Sequence, residues 1–295
     1  MKAFLHCDSI PSSQSWHNQL RLNLEKYMKV VQIDMHKPNV LKRLTNEYRN
    51  GDIFFARIKH PAPSENPPYL LDLIKPIYKD INKLFKCKCF PSLKSIELFD
   101  DKLKQHEVFR QHNFPTPRTQ YVTERDQCSI GFPAVCKKIN GASSKNVWLA
   151  NSIQDVATPC LVQEYHHNNG DVRINVIGNR VLGYLRGNRD NDFRASGSGK
   201  LSYPDEMPIE CVHLAYRISK ETNLMESMAY DFIKSTNGHW MVLEMSYTYV
   251  DDYIKNCTYY YDMEDNAKKK FKPPELYPEE MIVEDMIKKL QPTFI

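Results

Sequence analysis

Apolar and polar positions follow two alternating rhythms over the first ninety residues. Short apolar runs at 2–7, 30–33, 53–58 and 87–90 have the length of strands, and the segments at 13–26, 40–48 and 69–84 read as helices between them. Such alternation implies a parallel sheet covered on both faces. The stretch 61–68, with four prolines, continues no regular element and reads as a loop, and the first unit is expected to close near Pro91.

Beyond 91 the rhythm changes. A helix opens at Asp100 and Asp101 and ends before Pro115 and Pro117, and strands follow at 132–138, 147–150 and 161–165. From 171 to 185, Arg173, Asn175 and Ile177 alternate with Val172, Ile174 and Val176 up to Gly178-Asn179. Apolar residues then resume at Val181, Leu182, Tyr184 and Leu185, the pattern of a hairpin across a tight turn. A helix over 208–223 precedes two strands, 227–233 and 240–245, joined by Ser235-Thr236-Asn237-Gly238. The tyrosine-rich segment 247–261 is expected to end in a loop, and 279–290 to form a closing amphipathic helix.

The hairpin carries polar side chains: Asp171, Arg173, Arg186, Arg189 and Arg194, followed by the loop Ala195-Ser196-Gly197-Ser198-Gly199. Arginine forks and exposed backbone N–H groups suit a polyanionic ligand. Any one of these arginines also reads as an ordinary surface residue; five charged groups beside a Gly/Ser loop favour the ligand. SGSGK is not a P-loop, since Arg194 occupies the position of the first glycine and Leu201 that of the metal-binding hydroxyl. Gly141 to Asn146, between two strands and after Lys137, reads either as a phosphate-covering loop or as a plain turn. Lys102, beside the acidic helix start, reads as a ligand contact or as a partner of Asp100 or Asp101. Asp231 and Glu244 fall on paired strands and either share a divalent cation or face solvent. Arg57 and His60 follow the third strand, where open α/β sheets present substrate contacts, and equally read as surface loop residues. Adjacent His166 and His167 diverge on an extended chain and do not form a helical zinc pair.

With 295 residues, 41% hydrophobic and 26% charged, the chain is globular and long enough for two or three units. Its 40 basic and 36 acidic residues are too balanced to argue for nucleic acid, and Lys268-Lys269-Lys270, near Asp262, Glu264 and Asp265, reads as a solvated face. Eight cysteines without a CxxC pair, no secretory leader and no stretch of about 20 apolar residues point to a reducing cytoplasm and no membrane span.

Taken together, the Asp101-Lys102 helix start, FPAVCKK with its GASSKNV loop, the Gln163-Glu164-Tyr165 strand, DVR, NDFRASGSG and the Asp231/Glu244 pair resemble the ATP-grasp superfamily over about residues 90–250. Their order is similar to the branch of glutathione synthetase and the ribosomal-protein glutamate ligases. The details look closer still to bacterial ATP-grasp proteins encoded among surface-polysaccharide genes. The fold implied is α/β (α+β): an N-terminal parallel-sheet domain (1–91), a central lid subdomain (92–162) and a C-terminal subdomain (163–295), the last two antiparallel and clasping the nucleotide. The activity implied is an ATP- and Mg²⁺-dependent carboxylate–amine ligase acting through an acyl phosphate on small-molecule, expectedly sugar-linked, acids and amines. Alternatives are a kinase on the same scaffold and a nucleotide-binding module without turnover. By the resemblance, Lys102 and Lys137 contact phosphates under a lid that includes Gly141, Ser143 and Ser144. Gln163, Glu164 and Tyr165 line the adenine pocket, and Asp171 reaches the sugar side. Asp231 and Glu244, with Ser246 where many relatives carry Asn, hold Mg²⁺. Arg186, Arg194 and Ser196 serve the transferring phosphoryl group, and Arg57, His60 and Arg173 the substrate.

Overall fold

Uninterrupted apolar runs become the inner strands of a parallel sheet. β1 (Lys2–His6), α1 (Pro11–Glu25), β2 (Lys29–Ile33), α2 (Val40–Glu47), β3 (Ile53–Phe55), α3 (Leu70–Phe85) and β4 (Lys88–Phe90) succeed one another, and the strands pair in parallel in the order β2-β1-β3-β4. Phe4, Leu5, Phe54 and Phe55 are buried in this sheet, and Leu20 and Leu24 of α1 are buried too, while Leu22 between them is exposed. The computed structural model describes residues 1–7, 11–35, 37–56, 70–85, 88–99, 101–140, 146–270 and 277–290. Arg57, His60, Asp100, Gly141, Ser143 and Ser144, all named above from the sequence, lie outside the described residues.

The chain divides into two compact units, Met1–Ile96 with Tyr277–Ile295, and Glu97–Leu276, the division falling within α4 (Leu93–Phe99). The segment expected to hold one helix therefore holds two, α4 and α5 (Lys102–Gln111). Asp101 caps α5, its carboxylate accepting from the Lys104 N–H at 3.0 Å. Two antiparallel sheets follow in the second unit. The smaller joins β5 (Thr119–Val122), β6 (Ala134–Lys137), β7 (Val147–Ala150) and β8 (Cys160–Glu164) in the order β5-β8-β6-β7. Ala134 and Cys136 of β6, Cys160 and Val162 of β8 and Val122 of β5 form its core.

The larger sheet is built on the hairpin of β9 (Gly170–Ile177) and β10 (Arg180–Gly187). Its turn holds Gly178 at φ +58°, a region that disfavours a side chain. The short β11 (Leu201–Ser202) pairs with β10. α6 (Ile209–Thr222) packs on β9, where Val172, Ile174 and Val176 are buried, so Asp171, Arg173 and Asn175 project to the opposite face. β12 (Met228–Lys234) and β13 (Trp240–Ser246) extend the sheet on the β9 side.

Two expectations at the C-terminal end are corrected. The tyrosine-rich segment does not end in a loop: α7 (Asp251–Lys255) leads into β14 (Tyr259–Asp262) and β15 (Ala267–Lys270), which complete the order β13-β12-β9-β10-β14-β15. The lysine run is thus an edge strand, in which the Lys268 ammonium lies over the Tyr259 ring, its Nζ 4.2 Å from the centroid. And α8 (Pro278–Leu290), assigned from sequence to a segment beginning at 163, belongs to the first unit, where it packs against α1. Among the described residues no helix is long and apolar enough to cross a membrane.

Candidate active site

The site is assembled in the second unit by α5 and the two antiparallel sheets. α5 is tied to both. The Lys102 N–H donates to Ile139 O, just past β6, and the Met245 N–H on β13 donates to Gln105 Oε1 at 3.1 Å. This places Lys102 at the end of the strand that carries Lys137 and beside the strand that carries Glu244.

Lys137 is 9% exposed. Burial pulls its ammonium down to about 8, the charges of Glu244 and Asp231 favour the protonated form, and Lys102 opposes it. Four sequence-predicted residues, Lys102, Lys137, Asp231 and Glu244, therefore act on one another in one place. Asp231 and Glu244 are direct cross-strand partners, with a β-bulge immediately after Asp231 that re-aims the chain there.

Asp231 is also the centre of an ion-pair network. Arg173 Nη1 lies 2.9 Å from it and Arg186 Nη2 2.8 Å, while Arg186 makes a fork to Asp171 with both bonds at 2.6 Å. All four side chains are at most 13% exposed. Burial works against the Asp231 charge, but Arg173 and Arg186 hold its carboxyl below the usual range. Asp171 thus sits behind Arg186 with its two oxygens on the guanidinium, and Arg173 additionally donates to Thr248 O. Asp171 and Arg186 both belong to the set that surrounds Asp231.

Ser246 lies opposite Ala229, beside the Asp231–Glu244 pair, but its hydroxyl donates to Thr248 O at 2.8 Å and accepts from the Thr248 N–H. Arg194 makes a fork to Asp192, a residue the sequence reading did not single out, and donates to Val147 O at the start of β7. Ser196 offers its carbonyl to the Arg189 guanidinium. Gln163 donates to Thr119 Oγ1, the Glu164 N–H donates to Arg118 O while its carboxylate is exposed, and Tyr165 meets Phe193 edge to face at 6.2 Å. Of the two adjacent histidines, His166 is buried and accepts from the Thr236 N–H, and His167 contacts the Tyr165 hydroxyl.

Among the described residues no three His, Cys, Asp or Glu side chains cluster as a metal cage. Two carboxylates paired across strands beside two lysines nevertheless fit Mg²⁺, which takes one or two protein carboxylates and completes its shell with phosphate and water oxygens. The smaller sheet, with Lys137 at the end of β6, and the larger sheet, with its acid pair and arginines, bring together charges whose chemistry suits a polyphosphate and its cation. A family model described as the RimK-like ATP-grasp domain matches residues 99–253, more than half of the chain, and the chain belongs to this family. ATP and Mg²⁺ are the cofactors of such domains.

A Mycoplasma pneumoniae (strain ATCC 29342 / M129 / Subtype 1) protein, the MG012 homolog, is 27% identical over 126 residues, 39% of this chain and 43% of that protein, so the match spans less than half of the relative. Among solved structures, N5-carboxyaminoimidazole ribonucleotide synthetase from Thermotoga maritima is similar with a TM-score of 0.65 at 13% identity, over 97% of this chain and 75% of the other. Carboxyaminoimidazole ribonucleotide synthase from Aspergillus clavatus, complexed with ATP, is similar with a TM-score of 0.61 at 12% identity, over 96% of this chain and 76% of the other. At these identities the likeness is one of fold.

Proposed function

We propose that the protein is an ATP- and Mg²⁺-dependent carboxylate–amine ligase. The observation that carries this reading is the meeting of Lys102, Lys137, Asp231 and Glu244 at one buried point of the second unit. In the reaction, an acid's carboxylate oxygen attacks the γ-phosphorus of ATP and ADP leaves. An amine then attacks the acyl carbon, forming the amide, and inorganic phosphate leaves as the nitrogen gives up its proton. Mg²⁺, when bound by Asp231 and Glu244, supplies charge neutralisation on the phosphates. Lys102 and Lys137 bind and orient the phosphate chain. Arg173 and Arg186 hold the Asp231 carboxylate charged and in place. Arg194, braced by Asp192 against β7, orders the loop that carries Ser196. Positioning and charge are all that this chemistry demands of the protein, so no side-chain nucleophile is required.

The acid and amine are small molecules, and the sequence resemblance favours a sugar carboxylate of surface-polysaccharide synthesis, made in the cytoplasm. The names of the solved relatives, a synthetase and a synthase complexed with ATP, support nucleotide-driven condensation. The test is a screen of acids and amines with ATP, read by mass spectrometry and phosphate release. A condensed product whose appearance with phosphate needs both partners is expected. A stable phosphorylated product from a single acceptor would replace the ligase by a kinase.

A further inference from the structure

The helix that supplies Lys102 carries a second basic group toward the same place. His106 follows Lys102 by four residues, so the two lie about 40° apart on α5, one turn separating them. The packing face of the helix is taken by Gln105 and Phe109, which are buried. His106, beside that face, is only partly buried, yet its Nδ1 is shielded from solvent without a hydrogen-bond partner. On this half-buried ring the shielded Nδ1 edge is left without a hydrogen bond, while the part of the ring that is not buried is open to a ligand.

We propose that His106 is a nucleotide-binding residue, donating from its imidazole to the phosphate chain that Lys102 and Lys137 neutralise. The inference rests on the ATP-grasp reading of the site and adds a ligand to it. Its environment also sets its charge. Burial first, then Arg110 on the same helix and Lys137 from β6, lower the imidazole below its ordinary range, so it is neutral in the free protein at pH 7. A polyphosphate brings negative charge within reach and reverses the balance, so nucleotide binding draws a proton onto His106. Burial holds Lys137 near 8, so it is mostly protonated at pH 7, and the part of the uptake that disappears in His106→Gln is the part assigned to the histidine.

The experiment is calorimetric titration of the full chain with Mg²⁺ and a non-hydrolysable ATP analogue at pH 7, in buffers of differing ionisation enthalpy. The wild type is expected to take up a fraction of a proton, and His106→Gln to take up less while binding about tenfold or more weakly. Imidazole NMR of the wild type, with the His106 resonance identified by its loss in His106→Gln or His106→Asn, should move toward the protonated shift when the analogue is added. Wild-type affinity and proton uptake in His106→Gln, or a wild-type imidazole that does not respond, would overturn the assignment while leaving the ATP-grasp reading intact. Absence of analogue binding by the wild type would overturn both.

Discussion

Lys137 states the central tension of the site in one side chain. Burial lowers its folded value to about 8 from an ordinary 10.5, so below pH 8 the fold carries an ammonium that it holds less readily than the unfolded chain does. The sign follows: the penalty is complete below about 8 and fades as pH rises toward the unfolded value, because the unfolded chain then binds the extra proton. Lys137→Met should therefore raise the stability of the nucleotide-free protein at pH 7, on the order of 2 kcal/mol in denaturant unfolding, while removing nucleotide binding. In the wild type, affinity for Mg²⁺-nucleotide should decline as pH is raised past about 8, where the free protein loses the ammonium that meets the phosphates. The two carboxylates should separate in the same way. Asp231→Asn leaves Arg173 and Arg186 with Asp171 as their only carboxylate in the network, so it should cost roughly 3 kcal/mol of stability besides lowering turnover by orders of magnitude. Glu244→Gln, outside that ion-pair network but one of the charges that favour the Lys137 ammonium, should lower turnover as much with a smaller loss of stability than Asp231→Asn. Parallel unfolding and rate measurements decide, and equal stability losses in both would remove the distinction.

Between β9 and β10 the strands approach so closely at one end that a methyl group has no room. A Cβ on Gly170 would lie 2.1 Å from Arg186 O and 3.2 Å from Gly187 Cα, both backbone atoms, so the strands must separate to admit it. Since Asp171 and Arg186 face each other one residue further along, Gly170→Ala should cost a few kcal/mol and weaken the fork that positions Arg186. Gly131→Ala, with nothing within 4 Å of its Cβ, is the control and should be neutral. This hairpin was readable from the chain because period-two alternation and Gly178-Asn179 both point to it. β14 and β15 were not, because their residues carry the composition of a surface: Lys268 lies over the Tyr259 ring, and Lys269 pairs with Asp262 and Asp265. The helical pattern of α8 was legible, but amphipathicity does not say which sheet a helix joins.

Across the whole molecule, the pairing of the strands that carry Asp231 and Glu244 could be anticipated from the short turn between them, but not their facing: the register running back from Lys234 and Trp240 would set Asp231 against Leu243, and the bulge after Asp231 brings Glu244 opposite it instead. What could not be anticipated either is which partners those groups take once β9 and β10 are added: the placement of both Arg173 and Arg186 on Asp231 follows from β9 lying between β10 and β12, a long-range pairing with no local signature. That pairing gives a prediction about the intact chain. If Mg²⁺ joins the nucleotide to Asp231 and Glu244, ligand binding is linked to folding and its strength depends on the cation. At a Mg²⁺-nucleotide concentration of about 100 times the dissociation constant, the gain is about 2.7 kcal/mol. For a chain of this size that corresponds to a rise of roughly 4–5 °C in the unfolding midpoint. Chelating the metal should remove most of the rise in the wild type. In Glu244→Gln the smaller rise that remains should no longer respond to the cation. An unchanged wild-type shift in the presence of chelator would mean that the nucleotide is held by the lysines alone, with the acid pair serving only to anchor Arg173 and Arg186.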